Sequence, residues 1–540
     1  AKKVPVPHRG QDSLDFRAPL ATYNVEDKTI KAREVENIEV ADANILLKDG
    51  EITIHEEAEL ETLDSATIEV SEGLHTFKNA QVDIEGKYEY QGNGEYTFVN
   101  GEAKSHTIHF GEIAANDEAQ TYARGEIGRE NLFTLDEHFA FSGDVELQAT
   151  DSLLTFDGGV QLLHPCSQKG PQQYIDFTTK IDPYDITIPL EERSFTHGNE
   201  EREELVRGFF LNLDSSHVYS AFLEKSHRIN NEPIITAGGQ LKFNETNNCF
   251  EIASQEKMAY PDSAGNIIRY HTETCQVSGE GKLNTGLDLG QVKTELAGTI
   301  TDLRGKNELI LNSLLGVEFM LDETSINAMA NTIAASDVPE ADHDKEQLKK
   351  RLRELIPARE ADNIVEVLKP TTNISEILPK KLQNTLFFTD IEFTWETSSR
   401  SYKAEGKADL GWIRNQAISR EVDIKALISR SRGGNSFEIH IQTDPGTWFF
   451  FSYDNETMLV LSSLDKFNKD MRALENDARK MDTGFGEDNY VFRLGSKNRL
   501  RLFMKHFSEE TEEGNGNEAS EEEKTENKDK PDNEETGDEE

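Results

Sequence analysis

Apolar and polar residues alternate at every second position over much of the chain, in short runs that end at glycine or polar turns. Such runs occupy residues 51–54, 66–70 and 81–84, and they recur about every ten residues between Lys28 and Ile127. Successive side chains of an extended strand point to opposite faces, so this alternation predicts half-buried strands. The regular spacing predicts a meander, a sandwich or a solenoid.

The same alternation continues into the middle of the chain. Residues 241–243 and 250–252 are predicted to pair as a hairpin across the turn at 247–248. The segment 91–94, Gln-Gly-Asn-Gly, is predicted to be a second hairpin turn, because glycine reaches the positive φ values that such turns require.

The spacing becomes helical from Glu323 to about Gln383. Thr324 or Ser325 can cap a first helix, and residues 342–356 form a second one that Pro357 ends. A third helix is predicted from about 359 to 368. Because prolines separate them, these short helices predict a compact insertion rather than a coiled coil.

Alternation resumes at Thr385 and predicts further strands as far as residue 461. Residues 463–481 carry an apolar stripe at helical spacing and predict one amphipathic helix that packs against a sheet. Two last strands are predicted at 490–494 and 499–504. The acidic residues that follow include few apolar side chains, which predicts a disordered tail.

A glycine followed by alternating polar and apolar residues recurs along the chain. This unit begins at the following positions: Gly86, Gly143, Gly239, Gly281 and Gly406. Glycine at a strand start or bulge permits a tight bend, while the alternation sets the buried face. Copies on both sides of the helical insertion predict related β units.

The cadence of 139–147, 153–160, 239–243 and 279–289 resembles that of large β-repeat cell-envelope proteins of the Bacteroidota. More distantly, it resembles the OstA-like domains of lipopolysaccharide transport. The resemblance covers about residues 30–310 and is one of strand pattern, without a family-defining motif. It implies a β-rich envelope protein, periplasmic or associated with a bacterial outer membrane, whose partners are other envelope proteins or a lipid.

The formal charge of −45 is distributed over the whole chain. Residues 508–540 contain 16 acidic residues and 3 Lys, a net of −13, so the remainder carries −32. An acidic surface repels nucleic-acid phosphates and anionic lipids, so no nucleic-acid partner is expected. The charge favours solubility, with binding of cations or cationic peptides as the alternative. Hydrophobic content of 36% and a mean hydropathy of −0.64 favour sheets with one wet face.

No run approaches the 18 or so apolar residues of a transmembrane helix, so no transmembrane segment is expected. The chain opens without an initiator Met, which suggests a processed protein or a fragment. The cysteines Cys166, Cys249 and Cys275 do not form a disulfide framework. Cys249 and Cys275 lie in neighbouring predicted strands and could pair, but buried free thiols are favoured. The absence of CxxC spacing excludes a structural zinc site of that type.

Candidate metal ligands are sparse. His106 and His109 are three positions apart, a spacing that places them on opposite faces of a strand. The run 56–59, Glu-Glu-Ala-Glu, is read as a solvated face. Asp342 and Asp344 are read as carboxylates that favour the positive end of a helix dipole. No metal site and no cofactor are therefore predicted.

Catalytic signatures are equally scarce. The sequence contains no Gly-x-Ser-x-Gly elbow and no phosphate-binding loop. Cys166 follows His164, but a structural cysteine is favoured over a catalytic dyad. The ring-rich run 448–451 with Tyr453 is expected to pack mainly in the core. No catalytic residue is predicted.

Together these patterns predict a mainly β protein of antiparallel multi-strand repeats (sandwich, meander or solenoid-like), with a short α-helical insertion and a C-terminal β-plus-helix unit. The predicted segments are an N-terminal extended segment 1–27, a β-repeat region 28–130, a β domain 131–321, a helical insertion 322–384, a C-terminal β domain with one amphipathic helix 385–507, and a disordered acidic tail 508–540.

The preferred function is a non-catalytic structural, scaffolding or assembly role in the cell envelope, in which sheet faces and edges bind other macromolecules. A carrier or bridge for an amphipathic ligand, such as lipid or lipopolysaccharide, is the alternative. A carbohydrate-active enzyme is a third hypothesis. A carrier needs an open apolar groove, a scaffold has a filled core, and an enzyme needs two carboxylates that converge in a pocket.

Overall fold

The computed structural model describes residues 2–6, 14–166, 173–198, 202–226, 230–303, 308–342, 344–431, 433–481 and 490–508. The predicted disordered tail lies outside the described residues, apart from residue 508. Residues 1–494 form one compact unit and residues 495–540 a second. The predicted segment boundaries stay predictions.

Strands occupy most of the first 320 residues. In chain order they are β1 (Lys2–Val6), β2 (Leu14–Ala18), β3 (Leu20–Asn24), β4 (Thr29–Arg33), β5 (Asn37–Val40), β6 (Ala43–Leu46), β7 (Ile52–Ile54), β8 (Leu63–Val70), β9 (His75–Ile84), β10 (Tyr90–Val99), β11 (Ser105–Ala115), β12 (Thr121–Ile127), β13 (Phe139–Gln148), β14 (Leu154–Leu162), β15 (Ile175–Ile181), β16 (Ile188–Leu190), β17 (Ser194–Phe195), β18 (Glu204–Asn212), β19 (His217–Lys225), β20 (Asn231–Thr236), β21 (Gly239–Asn244), β22 (Cys249–Ala253), β23 (Ile267–His271), β24 (Gln276–Leu283), β25 (Lys293–Leu303) and β26 (Glu308–Glu318). One short helix, α1 (Gln255–Ala259), lies between β22 and β23.

Three helices follow and then strands resume, as predicted. In chain order these elements are α2 (Glu323–Ala334), α3 (Lys345–Arg353), α4 (Ala358–Val367), β27 (Leu386–Glu396), β28 (Ser401–Ile413), β29 (Gln416–Ser431), β30 (Gly434–Asp444), β31 (Thr447–Asp454), β32 (Thr457–Ser462), α5 (Asp465–Ala473), β33 (Lys480–Met481), β34 (Tyr490–Leu494) and α6 (Lys497–Lys505).

Most strands belong to two large sheets. A 10-stranded sheet runs in the order β15-β14-β13-β12-β11-β10-β9-β8-β6-β5, and a 15-stranded sheet runs β16-β21, through β22 to β32 in sequence, and ends β34-β33. Neighbouring strands pair antiparallel, except that β32 and β34 are parallel. The fold is mainly β, with antiparallel multi-strand sheets that curl into a half-barrel, which confirms the predicted fold class.

A single apolar core extends from Leu14 to Phe492 and is lined by the inward side chains of both large sheets. In β2, for example, Leu14, Phe16 and Ala18 are buried while the residues between them are exposed. The ring-rich strand β31 contributes as predicted, since Phe449 contacts Phe467 of α5 at 5.5 Å between ring centroids. The core of a half-barrel is thus filled by its own side chains.

A second, smaller core lies on the other side of the 15-stranded sheet. There, α3 and α4 pack Leu352 and Ile364 against Leu314, Phe387 and Trp412 of the sheet. The Trp412 and Phe387 rings stack at 3.8 Å, and the indole N–H of Trp412 donates to the carbonyl of Leu382. The helical insertion therefore covers a sheet face that would otherwise expose apolar side chains.

Cross-strand glycine pairs occur inside the long strands. Gly143 of β13 lies directly opposite Gly158 of β14, and Gly281 of β24 lies opposite Gly298 of β25. Gly143 has a φ of +150°, and a Cβ atom there would lie 2.5 Å from the carbonyl oxygen of Asp157. The two backbones approach too closely for side chains, which permits the sheet to bend.

The recurring glycine unit is only partly as predicted. Gly239 opens β21, but Gly143, Gly281 and Gly406 lie within strands, and Gly86 lies in the turn before β10. The prediction of a strand start was wrong at these four positions, but Gly406 lies within a register shift between β27 and β28, which agrees with the predicted alternative of a bulge. The sequence shows where glycine occurs. It does not show where a neighbouring strand approaches so closely that only glycine fits.

Two local predictions were wrong because side-chain alternation was ambiguous. Residues 499–504 form part of α6 rather than a strand, since Ser496 caps the helix by accepting from the backbone N–H of Arg499. The segment Gln91–Gly94 lies inside β10, at an irregularity between Gly92 and Gly94, and is not a hairpin turn. The predicted hairpin of β21 and β22 is confirmed, with Phe243 opposite Phe250.

The amphipathic helix is shorter than predicted. It ends at Ala473, where the Arg479 guanidinium donates to the carbonyls of Arg472 and Leu474. These carbonyls would otherwise lack partners at the helix end, so the arginine stabilises an early stop.

The favoured prediction of buried free thiols is wrong for Cys166 and Cys275 and confirmed for Cys249, and the alternative pairing of Cys249 with Cys275 is wrong. Cys166, which follows β14, forms a disulfide with Cys275 in the turn between β23 and β24, so the bond joins the two large sheets. Cys249 is the buried free cysteine, and burial together with the nearby Glu251 carboxylate raises its thiol pKa to about 12. Sequence proximity favoured the wrong partner because the distance between Cys166 and Cys275 is closed only by the packing of the two sheets.

Replacing Gly143 by Ala is expected to lower the free energy of unfolding by roughly 1–3 kcal/mol, because the new Cβ collides with backbone and φ is unfavourable. Gly111→Ala is the matched control, since no atom lies within 4 Å of a Cβ at Gly111. Denaturant unfolding of both variants measures the difference. Equal stability of the two variants would contradict the bend argument.

Replacing Cys166 and Cys275 together by Ser is expected to lower the free energy of unfolding by about 2–4 kcal/mol, because the bond closes a loop of sequence separation 109. Reductant should destabilise the unmodified protein by a similar amount and leave the double variant unchanged. Cys249→Ala is the control and should retain the full response to reductant.

Candidate functional site

Among the described residues, the most exposed edge strand is β3. It is the outer strand of a small three-stranded sheet and pairs with a neighbouring strand on one side only. This sheet has the order β3-β4-β7, with β3 at its edge. β3 pairs with β4 from Leu20 opposite Arg33 to Asn24 opposite Thr29, and no described residue pairs with its other side. All five residues of β3 are exposed. We call this feature the β3 edge.

The β3 edge has the composition of a binding strand rather than a protected one. Its residues, Leu-Ala-Thr-Tyr-Asn, carry no charge, and the exposed fractions of Leu20, Tyr23 and the following Val25 are 49%, 57% and 76%. Natural sheet edges that avoid association usually contain charged residues or proline. The β3 edge contains neither.

Four other sheet edges of the described structure are short, contain proline or are covered. β16 is three residues long and contains Pro189, and β33 is only two residues long. β5 lies against β2, and β15 is bridged at Ile175 by Thr196. The exposure of β3 therefore contrasts with that of these four edges.

Local hydrogen bonds hold the hairpin of β3 and β4 in shape. The Asn24 side chain accepts from the backbone N–H of Glu26 at 3.0 Å and donates to the Asp27 carboxylate at 2.6 Å. On the inner side, Ala32 of β4 is fully buried and pairs with Ile52 of β7. The hairpin is anchored in the core at β4, which leaves β3 presented to solvent as a preformed strand.

A cleft of about 790 Å³ adjoins the base of this hairpin. Pro19, which precedes β3, and Glu34, which follows β4, both line it. Its ionisable residues are the carboxylates of Asp15, Glu34, Glu36 and Glu39 and the cations of Arg17 and Lys87. We call it the acidic cleft. An excess of carboxylates in a concave site attracts cationic groups.

A larger cleft, of about 920 Å³, lies between α2, residues 371–375 and the turn that joins β28 to β29. Nine of its fourteen lining residues are polar, and five of these carry amide side chains: Asn327, Asn331, Asn373, Asn415 and Gln416. Arg414 in the turn pairs with Glu318 at 2.9 Å, and Gln416 donates to Asn331 at 3.2 Å. Because a lipid carrier needs a predominantly apolar groove, this polar lining does not support acyl-chain binding.

Two carboxylates converge at a small cavity of about 110 Å³ beneath α3. Glu280 and Glu354 line this cavity together with Lys350. Glu354 accepts from the Lys257 ammonium at 3.1 Å and from the backbone N–H of Gly265 at 2.8 Å. Glu280 lies 2.6 Å from Lys350 and 3.2 Å from Arg269.

The carboxylates of this cluster are paired with cations, as in an ion network that stabilises a fold. Burial opposes ionisation of Glu280, but its pairing with Lys350, Arg269 and Lys257 outweighs burial and lowers the pKa of its carboxyl. A general acid at neutral pH needs a raised pKa instead. The arrangement therefore anchors α3 and α1 to the sheet and does not provide an acid–base pair. We call it the buried ion network.

Comparisons with protein-family models, with curated proteins and with solved structures were made for the whole chain. None of them gives a match. Arguments about function therefore depend on the residues of this chain alone. Among the described residues, no helix combines the length and the apolar character that crossing a bilayer requires.

The residues weighed as metal ligands in the sequence lie apart from one another. His106 contacts the Phe133 ring at 4.8 Å between centroids, whereas His109 is exposed.

Glu56 begins a 3₁₀ turn and pairs with Lys28 at 2.9 Å on the surface. Asp344 caps α3 by accepting from two backbone N–H groups, which confirms its assignment to a helix start. His343, which lies between Asp342 and Asp344, is outside the described residues.

Sequence reasoning missed the β3 edge, because residues 1–27 were assigned to an undifferentiated extended segment. The available signal was the absence of charge from Leu20 to Asn24 in a chain with 29% charged residues. That signal becomes meaningful only when the strand is known to lie at an edge.

Replacing Glu354 by Gln is expected to lower the free energy of unfolding by about 3–5 kcal/mol. The side chains of Lys257 and Glu354 are only 1% and 5% exposed, so the variant leaves a buried cation without its closest carboxylate. Denaturant unfolding measures the loss, and the double variant Lys257→Met/Glu354→Leu should be more stable than the single one. Glu56→Gln, at an exposed pair, is the control and should change stability by about 1 kcal/mol or less.

Proposed function

We propose that the protein is a non-catalytic scaffolding or assembly component of the cell envelope that binds an extended segment of a partner protein by strand addition at the β3 edge. The observation that carries this proposal is the uncharged strand β3 at the end of its sheet, all five residues of which are exposed. Main-chain hydrogen bonds to such an edge supply affinity, and exposed side chains supply specificity.

The chemistry around the β3 edge defines the partner segment. Leu20, Tyr23 and Val25 favour apolar or neutral side chains opposite the strand. The acidic cleft at the base of the hairpin favours one or two Lys or Arg residues that flank that segment. A partner of this kind also suits the net charge of −45. Binding should therefore weaken as salt concentration rises.

The filled core and the polar clefts favour this function over its alternatives. Inward side chains from both sheets form one continuous core, which is the property expected of a scaffold. The amide-lined cleft does not supply the apolar groove of a carrier, and the carboxylates of the buried ion network are held by cations. These observations support binding through surfaces.

An envelope location has one physical support. The disulfide between Cys166 and Cys275 joins the two large sheets, and structural disulfides persist mainly in oxidising compartments such as the periplasm or the cell exterior. Stabilisation by this bond would be lost in a reducing cytosol. The bond therefore agrees with the proposed compartment.

The test is photo-crosslinking in the source cells, with p-benzoyl-phenylalanine in place of Tyr23. The matched control places the same group at Tyr184, which is 81% exposed but lies outside the β3 edge. We expect a discrete protein adduct from position 23 and none from position 184. Adding Thr22→Lys, which places a charge on the edge, should reduce the adduct at least several-fold without a change in melting temperature.

Equal adducts at both positions, or an adduct that persists with Thr22→Lys, would contradict strand addition. Native mass spectrometry of the protein purified from its source gives an independent measurement. A co-purifying protein that is lost with Thr22→Lys supports the scaffold, whereas retained lipid in the absence of such a protein would favour the carrier.

A further inference from the structure

We propose that Glu137, His138 and Glu245 form a zinc site that joins the two large sheets. Glu137 and His138 immediately precede β13 of the 10-stranded sheet, and Glu245 follows β21 of the 15-stranded sheet. One ligand atom from each residue lies within 4.8 Å of the other two. This inference is independent of strand addition at the β3 edge.

The spacing of the ligand atoms suits a tetrahedral ion. With zinc–ligand distances of about 2.0–2.1 Å, neighbouring ligand atoms in a tetrahedron lie about 3.3 Å apart. His138 Nε2 lies 3.1 Å from a Glu245 carboxylate oxygen and 3.7 Å from a Glu137 carboxylate oxygen. An ion between the three groups therefore needs only small side-chain adjustments.

The imidazole is held with Nε2 directed at the carboxylates. Its ring stacks on Phe243 with centroids 3.4 Å apart and an interplanar angle of 16°, and it meets the edge of Phe250 at 6.2 Å. The His138 side chain is 16% exposed, whereas those of Glu137 and Glu245 are 67% and 75% exposed. A fixed nitrogen ligand beside two accessible carboxylates gives an entry path from solvent.

The backbone on both sides of the site is also fixed. The Asp136 carboxylate accepts from the backbone N–H groups of His138 and Phe139, both at 2.8 Å. In the facing hairpin, the Asn244 side chain accepts from the backbone N–H groups of Thr246 and Asn247. Ordered ligands reduce the entropy that metal binding must overcome.

The ligand set selects the class of metal. The imidazole nitrogen suits zinc and other late first-row ions, which also accept carboxylate ligands, whereas calcium and magnesium prefer oxygen ligands alone. Three protein ligands leave a fourth position for water. Because the ligands come from both sheets, bound zinc would stabilise their packing, as the disulfide does.

The test is calorimetric titration of the metal-free full chain with ZnCl₂, at a pH near neutrality. We expect one saturable site whose affinity falls at least about tenfold in His138→Gln and in Glu245→Gln. His109→Gln is the matched control at an exposed histidine and should bind zinc as the unmodified protein does. Zinc should also raise the melting temperature of the unmodified protein and not that of His138→Gln.

Substitution by Co²⁺ adds a spectroscopic measurement, since a tetrahedral site gives intense visible absorption bands. Bands that are present in the unmodified protein and absent in His138→Gln would support the site. Zinc affinity that is identical in the unmodified protein and His138→Gln would overturn it, because binding would then belong to other carboxylates. So would the absence of saturable binding, which would leave His138 as a partner of the two carboxylates alone.

Discussion

The close approach of backbones at cross-strand glycine pairs is the constraint on which the architecture depends. Where Gly143 faces Gly158, a Cβ on either residue would lie within 2.7 Å of the opposite chain. Gly281 and Gly298 also face each other in the other large sheet, but there a Cβ would meet Asn266 and the backbone of β26 respectively. Glycine at such positions permits long antiparallel strands to bend, and the inward apolar faces of the curled sheets form one filled core.

Other interactions connect elements that strand pairing alone does not hold together. The disulfide between Cys166 and Cys275 joins the two large sheets. The buried ion network attaches α3 to the outer face of the 15-stranded sheet, beside the smaller apolar core. Buried charges are costly unless they are paired, so the network also specifies where the helical insertion docks.

The surface of the described structure is polar and acidic, and several of its sheet edges are protected from pairing with other strands. Short edge strands, proline and covering segments prevent unwanted pairing at β16, β33 and β5. The β3 edge departs from that rule while its hairpin remains anchored through β4. This contrast with the edges of β16, β33 and β5 is the reason for proposing strand addition at β3.

Side-chain periodicity and proline positions act locally, so they specify the mainly β class, the helices between β26 and β27, and the hairpin of β21 and β22. The sequence by itself could not determine the partner of Cys275, since Cys166 is 109 positions away. Nor could it identify the β3 edge or bring His138 beside Glu245, which are 107 positions apart. These features arise only when strands take their order in a sheet and the two sheets pack, and the energies that decide that order are non-local.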